Sequence, residues 1–239
     1  MSLVNQIIDD LNSFANETFA KHHAKFFQTQ AGGYGEGDKF IGLRVPQTRA
    51  VAKKYFKVAQ RSDIETLLSS EIHEIRLCAL EILVHKMKKA DNLETESEIY
   101  DIYIKNLAAL NNWDLVDLSA PNISGRFWYD SGDTGELWRL ARSGNLWHMR
   151  VAIISNYYFI KREQFAIILE LSKYMITNNI DHDLIQKAYG WMLREAGKMD
   201  KTVLIAFLDE YAGKMPRTAL RYSIEKLSDE EPRHYMGRR

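Results

Sequence analysis

The chain has 239 residues, of which 46% are hydrophobic and 27% are charged, and this balance is typical of a folded protein rather than a disordered one. Its 32 basic and 32 acidic side chains give a formal net charge of zero, which excludes the overall basic excess of a generic nucleic-acid binder. Any nucleic-acid role must therefore depend on basic residues that are gathered on one surface.

A single cysteine, Cys78, lies in the apolar stretch 77–80, so no disulfide can form within the chain. This cysteine usage is typical of a reducing compartment, and we expect Cys78 to be a core residue. No apolar run is long enough for a membrane span, and residues 1–12 carry acids where a signal peptide would be basic. We therefore expect a soluble cytoplasmic protein that does not contact a membrane.

Apolar residues recur at three- and four-residue spacing along most of the chain, and β-like alternation is rare. In chain order this pattern predicts helices over residues 4–14, 19–27, 46–57, 63–68, 74–87, 113–120, 135–142, 146–158, 163–176, 183–198, 202–211 and 217–227. The links between them are short and polar, so we expect an all-α fold in a single domain over residues 1–239.

Four glycines fall within the six residues 32–37, a density that excludes a helix interior. The segment is not a P-loop, because no Gly-Lys-Ser/Thr follows it. The sequence favours a flexible surface loop from Gly32 to Asp38.

The predicted helix that starts near Pro46 carries Arg49 and Lys53 at four-residue spacing, and Arg44 lies just before it. Four-residue spacing places two side chains on one face of a helix. Two interpretations are open for these basic residues: a solvated face, and a stripe that contacts phosphates.

The most informative stretch is 112–117, in which Trp113 and Asp117 are four residues apart. If this stretch is helical, both side chains lie on one face, about one turn apart. Asp114 sits at the helix start, where a carboxylate caps the helix or favours its dipole. The alternative interpretation is an ordinary helix start with one large core residue.

An apolar–basic–small pattern recurs around Arg76, Arg150 and Lys187. Arg76 and Arg150 are 74 positions apart, which is twice 37, and Arg150 and Lys187 are 37 apart. A period near 37 with two helices per unit predicts a HEAT-type α-solenoid. On this period, equivalent places along one groove are taken by Trp113, Arg150, Lys187 and Arg221, with Trp191 one turn beyond Lys187.

Four segments together resemble the AlkD-type DNA glycosylases, the HEAT-like DNA alkylation repair family. They are residues 39–49 (KFIGLRVPQTR), 112–121 (NWDLVDLSAP), 146–152 (LWHMRVA) and 186–195 (QKAYGWMLRE), and they span almost the whole chain in the family's order. The resemblance implies a right-handed α-solenoid whose concave face holds duplex DNA. It also implies excision of positively charged alkylpurines, such as 3-methyladenine and 7-methylguanine, without a metal or other cofactor.

The resemblance matches the family's catalytic aromatic and acid to Trp113 and Asp117, its second aromatic to Trp191, and the arginine that holds the DNA backbone to Arg150. From their spacing after Trp191 we add Arg194 and Lys198 as phosphate contacts. Besides Arg150, Arg194 and Lys198, the predicted DNA-binding residues are Lys187, Arg44, Arg49 and Lys53. The seven histidines show no metal-ligand spacing, so no metal site is predicted.

These residue types suit the implied chemistry. A purine alkylated on N3 or N7 is already positively charged, so the leaving base needs no protonation. The enzyme must stabilise an oxocarbenium-like sugar and position a water, and a carboxylate such as Asp117 does both. Indole faces favour a cation by about 0.5 to 2 kcal/mol each, which suits Trp113 and Trp191.

Two functions stay open. One is a monofunctional alkylpurine glycosylase that acts on double-stranded DNA as a monomer, with the segment 32–38 widening or blocking its cleft. The other is a non-catalytic HEAT-repeat module that binds DNA structures or protein partners. The second function keeps the basic residues but does not need Asp117.

Overall fold

A computed structural model describes residues 1–228 and 230–237 of the chain. Within these residues the fold is all-helical, and β-type pairing is confined to an isolated bridge between Lys39 and Ile72. The predicted all-α class is confirmed, whereas the right-handed solenoid with a concave face stays a prediction. No helix in the described part of the chain is long and apolar enough to cross a membrane.

The chain divides into two compact units, Met1–Ile123 and a second that begins at Ser124. The helices of the first unit are α1 (Leu3–Asn12), α2 (Glu17–Phe26), α3 (Val45–Tyr55), α4 (Arg61–Leu68), α5 (His73–Met87), α6 (Leu93–Lys105) and α7 (Trp113–Ser119), with a 3-10 turn at Leu107–Ala109. The prediction of a single domain over residues 1–239 stays a prediction.

A π-helical turn spans Pro121–Gly125. The helices of the second unit are α8 (Arg126–Ser131), α9 (Gly135–Ala141), α10 (Leu146–Ile154), α11 (Asn156–Ile160), α12 (Ala166–Thr177), α13 (Asp183–Met199), α14 (Lys201–Tyr211), α15 (Arg217–Ile224) and α16 (Glu230–Gly237), with a 3-10 turn at Ala212–Lys214.

The structure departs from the predicted helices in a few places. The helix predicted over 146–158 is broken between α10 and α11, where Ser155 and Asn156 return side-chain hydrogen bonds to the carbonyls four residues earlier. The helices α6, α8 and α16 were not predicted. Phe14, the last residue of the helix predicted over 4–14, lies beyond the end of α1 and is 41% exposed, so its predicted place in that helix is wrong.

The central helix of the first unit is α5, of whose 15 residues 13 are buried. It packs against α1, α3, α4, α6 and α7, and Cys78 lies fully buried within it, as predicted. A helix that is buried all round has no solvent-facing side for its polar residues. The buried polar side chains of α5, which are His73, Glu74, Arg76 and Glu81, therefore need partners from neighbouring segments.

Glu74 holds the segment 41–43 against α5. Its carboxylate accepts hydrogen bonds from the backbone N–H groups of Ile41 at 3.1 Å, Gly42 at 2.8 Å and Leu43 at 3.2 Å. Gly42 has a φ of +85°, and a Cβ there would lie 2.0 Å from the carbonyl oxygen of Asn16. Glycine is therefore required at position 42 both by the left-handed backbone and by the close approach of α2.

We expect Gly42→Ala to lower the free energy of unfolding by more than about 2 kcal/mol, because it adds a backbone clash to the strain of a positive φ. Gly132 is a matched control, since its φ is +72° but a Cβ there would meet nothing within 4 Å. Gly132→Ala should cost only the conformational strain, about 1 kcal/mol. Denaturant unfolding of both variants measures the difference, and equal losses would contradict the close approach at Gly42.

Candidate functional site

The helix α7 presents the two residues on which the catalytic prediction is centred. Leu115 and Val116 are fully buried and fix the inner face of this helix. Trp113 and Asp117 are both half-buried and lie four residues apart on the helix. The structure therefore places the predicted aromatic and the predicted acid on one face of α7, about one turn apart.

Asn112, rather than Asp114, caps α7. The Asn112 Oδ1 atom accepts a hydrogen bond from the backbone N–H of Trp113 at 2.9 Å. Asp114 Oδ2 lies 2.8 Å from Nε2 of His73 instead. The predicted capping role of Asp114 is wrong, because its carboxylate is hydrogen-bonded to the buried His73 ring. Its charge still lies in the first turn of α7, where the helix dipole favours an anion.

His73 lies at the start of α5 between two carboxylates from different segments. Its Nε2 atom is 2.8 Å from Asp114 Oδ2, and its Nδ1 atom is 2.7 Å from Asp38 Oδ2. The other oxygen of Asp38 accepts a hydrogen bond from Nη2 of Arg76 at 2.5 Å. Since both ring nitrogens face carboxylate oxygens, the arrangement suits a doubly protonated imidazolium.

The pKa values of this cluster agree with its geometry. Burial is the largest influence on the His73 ring and favours its neutral form, but Asp114 and Asp38 outweigh it and raise the pKa to about 9. Burial also favours the neutral form of Asp38, and His73 and Arg76 outweigh it and lower the pKa of this carboxyl. Near neutral pH the cluster therefore combines two cations with two carboxylates.

The Gly-rich segment 32–38 is packed against this cluster. Asp38 at its end is 7% exposed, and the Tyr34 hydroxyl accepts a hydrogen bond from Nε1 of Trp113 at 3.1 Å. A Cβ on Gly35 would lie 2.3 Å from the carbonyl oxygen of Phe27, so the glycine allows a close approach. The predicted loop is confirmed, with three exposed residues, Gly32, Glu36 and Gly37. Its flexibility stays a prediction; Gly35 and Asp38 are buried, so this part of the loop packs beside Trp113.

Aromatic rings surround the inner side of Trp113. Its ring centroid lies 5.3 Å from that of Phe27 and 6.0 Å from that of Phe26. Phe27 is buried and stacks on His73 and Phe40, whereas Phe26 is 55% exposed. The buried ring of Phe27 thus packs against the indole, and Phe26 adds an exposed aromatic ring beside it.

A basic groove of about 530 Å³ runs along α3, α5 and the end of α7. It is lined by Pro46, Arg49, Ala50, Lys53, Glu81, Val84, His85, Lys88, Leu118 and Asn122. The only acid in this lining, Glu81, accepts from Nε of Arg49 at 2.9 Å. Among the residues that the structure describes, Lys53 and Lys88 have no carboxylate partner. The predicted pair Arg49 and Lys53 therefore shares its groove with two further bases, His85 and Lys88, that the sequence did not assign to it.

Arg44, the third basic residue predicted near this helix, does not line the groove. It occupies the N-cap position of α3 and is exposed, and its guanidinium lies 4.7 Å from the centre of the Phe19 ring. Its predicted role as a DNA contact stays a prediction.

In the second unit, Trp191 is half-buried on α13 and is oriented by an acid that the sequence analysis missed. Its Nε1 atom donates to Oε1 of Glu195 at 3.2 Å, and its ring centroid lies 6.4 Å from that of Tyr157. Glu195 is 4% exposed and also accepts from Nζ of Lys198 at 2.6 Å. The signal in the sequence is the four-residue spacing of Trp191 and Glu195.

The predicted basic residues of the second unit all have partners. Lys187 forms an ion pair with Asp183 at 2.6 Å, and Arg194 forms one with Glu225. Arg150 is 5% exposed, and its Nη1 atom donates to a backbone carbonyl at the start of α13 at 2.6 Å. Exposed pairs such as Lys187–Asp183 are weak and exchange readily. Arg150 therefore offers less surface to a phosphate than Lys187 or Arg194, and the DNA-binding roles of these three residues and of Lys198 stay predictions.

The raised pKa of His73 makes stability depend on pH in a defined direction. A histidine with a pKa of 6.5 when unfolded and about 9 when folded contributes about 3 kcal/mol. This contribution is complete below pH 6.5 and is lost as the pH rises through 9. We expect the free energy of unfolding to fall over this range in the unmodified protein.

Denaturant unfolding between pH 6 and pH 10 measures this dependence, with His73→Gln as the comparison. The difference in stability between the two proteins should shrink as the pH rises. A difference that is constant across this range would contradict the raised pKa of His73.

The match to known proteins extends over both units. A family model for DNA alkylation repair enzymes matches residues 7–227, which include all four of the resembling segments. No curated protein was found to match the chain. The family implies DNA as the substrate and a role in the repair of alkylated DNA. From the extent of this match, the chain belongs to the DNA alkylation repair enzyme family.

Proposed function

We propose that this protein is a monofunctional DNA glycosylase that removes positively charged alkylpurines, such as 3-methyladenine and 7-methylguanine, from duplex DNA. The observation that carries the proposal is the pairing of Trp113 and Asp117 on one face of α7. An indole face and a carboxylate, one turn apart and both half-buried, provide the two groups that this reaction needs.

In the proposed reaction the bond between C1′ of the deoxyribose and the purine nitrogen breaks. The cationic base leaves with the bonding electrons and becomes neutral, so no general acid is required. The oxygen of a water bonds to C1′, and Asp117 accepts the proton that this water loses. The same carboxylate opposes the positive charge that develops on the sugar. The products are a free alkylpurine and an abasic site.

Trp113 contributes the second part of the proposed site. Its indole face favours a nearby cation, either the sugar or the alkylated base, by about 0.5 to 2 kcal/mol. The hydrogen bond from its Nε1 atom to Tyr34 and the packing of Phe27 support this role, because they hold the ring in one orientation. A ring that is already oriented loses little entropy when the substrate arrives.

Phosphate contacts are proposed for basic residues on both units. On the first unit, Lys53 and Arg49 line the basic groove beside Lys88, and Arg44 lies at the start of the same helix. On the second unit we propose Trp191 as the second aromatic, with Arg150, Lys187 and Arg194 as DNA contacts. Three further expectations from the sequence belong to the proposal: a monomer, a cytoplasmic location, and chemistry without a metal or cofactor.

Asp117→Asn is expected to slow the release of 7-methylguanine by about 100- to 10,000-fold, because the amide neither accepts the proton nor opposes the sugar's charge. Binding to duplex DNA should stay within about twofold, since the shape of the side chain is kept. Single-turnover excision and a gel shift on one preparation measure the two quantities.

Two aspartates serve as comparisons for this variant. Asp101→Asn changes two ion pairs at the protein surface, with Arg61 of α4 and Lys105 of α6, and should leave the rate unchanged. Asp114→Asn, on the same helix as Asp117, should have a smaller effect than Asp117→Asn. If Asp114→Asn abolishes release and Asp117→Asn does not, the acid has been assigned to the wrong residue. DNA binding without abasic sites from the unmodified protein would favour the non-catalytic module instead.

Lys53→Gln is expected to weaken DNA binding uniformly across sequences and to reduce the slope of log K against log salt by about 0.9, the value for one lost phosphate contact. Lys54→Gln is a matched control on the next residue of α3. Lys54 pairs with Asp10 at 2.6 Å and does not line the basic groove. Fluorescence anisotropy at several salt concentrations provides the slopes, and equal slopes for both variants would exclude Lys53 from the phosphate contacts.

A further inference from the structure

We propose that His73 is a positioning residue of this site: it bridges the Gly-rich segment 32–38 to α7 and thereby fixes the indole of Trp113 for the reaction. His73 is 1% exposed, so it acts through its neighbours and does not touch the substrate. The kinetic part of this inference rests on the proposed function, whereas its structural part does not.

The bridge joins two elements that are far apart in the sequence. Asp38 ends the Gly-rich segment, and Asp114 is the second residue of α7, so an imidazole within 2.8 Å of both sets their separation. At a second point, the Tyr34 hydroxyl accepts from Nε1 of Trp113 at 3.1 Å and donates to the carbonyl of Phe26 at 3.1 Å. The segment is thus tied to the first turn of α7 at two points, at the indole nitrogen of Trp113 and through the imidazole at Asp114.

The bridge requires both ring protons of His73. The charged groups that face the ring are Asp38 from the Gly-rich segment and Asp114 from α7. Arg76, one turn further along α5, faces Asp38. A neutral imidazole donates only one hydrogen bond, so its deprotonation leaves one of the two carboxylates without this partner. A buried carboxylate that loses its partner is destabilised, and the structure around it shifts to regain solvent.

The α7 end of the bridge is the end that is released. Asp38 keeps the hydrogen bond from Arg76, and only 1% of its side chain is exposed. Asp114 has 19% of its side chain exposed, but its Oδ1 atom is buried without a hydrogen-bond partner among the described residues, so the contact with the imidazole is the one that holds this carboxylate. Loss of the ring proton on the Asp114 side therefore releases the Asp114 end of the first turn of α7, to which Trp113 belongs. The Gly-rich segment stays attached to α5 through Arg76, and the hydrogen bond from Asn112 to Asp38 is long, at 3.4 Å.

The first test observes the bridge without any substrate. With ¹⁵N-labelled tryptophan, the indole N–H resonance of Trp113 is identified by its absence in Trp113→Phe. We expect this resonance to shift between pH 7 and pH 10 with a midpoint near the His73 pKa of about 9. The shift should vanish in His73→Gln and persist in His148→Gln, which changes a half-buried histidine of the second unit.

The second test is kinetic. His73→Gln should lower the single-turnover rate of base release by about 10- to 100-fold, because small displacements of a catalytic group have effects of this size. The Kd for undamaged duplex DNA should stay within about twofold, since the basic groove is untouched. Tyr34→Phe removes the acceptor of the Trp113 N–H together with the hydrogen bond to the carbonyl of Phe26, and it should lower the rate in the same direction with its fold intact.

The outcomes separate the bridge from the proposed function. A Trp113 resonance that does not titrate, or rates that are unchanged in folded His73→Gln and Tyr34→Phe proteins, would overturn the positioning role. If the unmodified protein releases no base, the glycosylase proposal fails, and the resonance alone then decides for or against the bridge. If His73→Gln does not fold, the pH titration of the unmodified protein and the rate of Tyr34→Phe decide it.

Discussion

The first unit depends on the burial of ionisable side chains on its central helix. His73, Glu74, Arg76 and Glu81 lie on α5 with almost no exposed surface, and an unpaired buried charge costs several kcal/mol. Their partners come mostly from segments outside α5. Glu74 takes three backbone N–H groups of the segment 41–43, and His73 and Arg76 share Asp38. The polar residues of a core helix therefore determine where the long irregular stretch between α2 and α3 lies.

Fixed hydrogen-bond partners also orient the two tryptophans that are predicted to contact the substrate. Each of the two indoles predicted to contact substrate donates its N–H to a fixed acceptor: Trp113 to the hydroxyl of Tyr34, and Trp191 to the buried carboxylate of Glu195. An indole that is fixed at its nitrogen presents its π-face in a single direction. The orientation of each indole face depends on the group that holds the indole nitrogen. This group belongs to the Gly-rich segment for Trp113, and it is Glu195, one turn further along α13, for Trp191.

The sequence predicted what depends on local spacing and missed what depends on distant partners. Trp113 and Asp117 lie on one face because they are four residues apart, and that spacing is visible in the chain. The role of Asp114 was not visible, because its partner His73 is 41 positions away. The packing of the Gly-rich segment was missed for the same reason, since glycine density excludes a helix but does not reveal that two cationic side chains of α5 donate hydrogen bonds to Asp38.

Because the chain has no net charge, any attraction to DNA must come from basic residues that are gathered on one surface. The basic groove contains one acid, Glu81, which is paired with Arg49, so its local charge is positive although the total is zero. On the proposed function, a chain without a net positive charge has modest non-specific affinity for DNA, and so discrimination must arise at the lesion itself. An alkylated cationic purine differs from its normal neighbours chiefly by its positive charge. A carboxylate and a fixed indole face respond to that property, and on the proposed function Asp117 and Trp113 need no pocket shaped to one base.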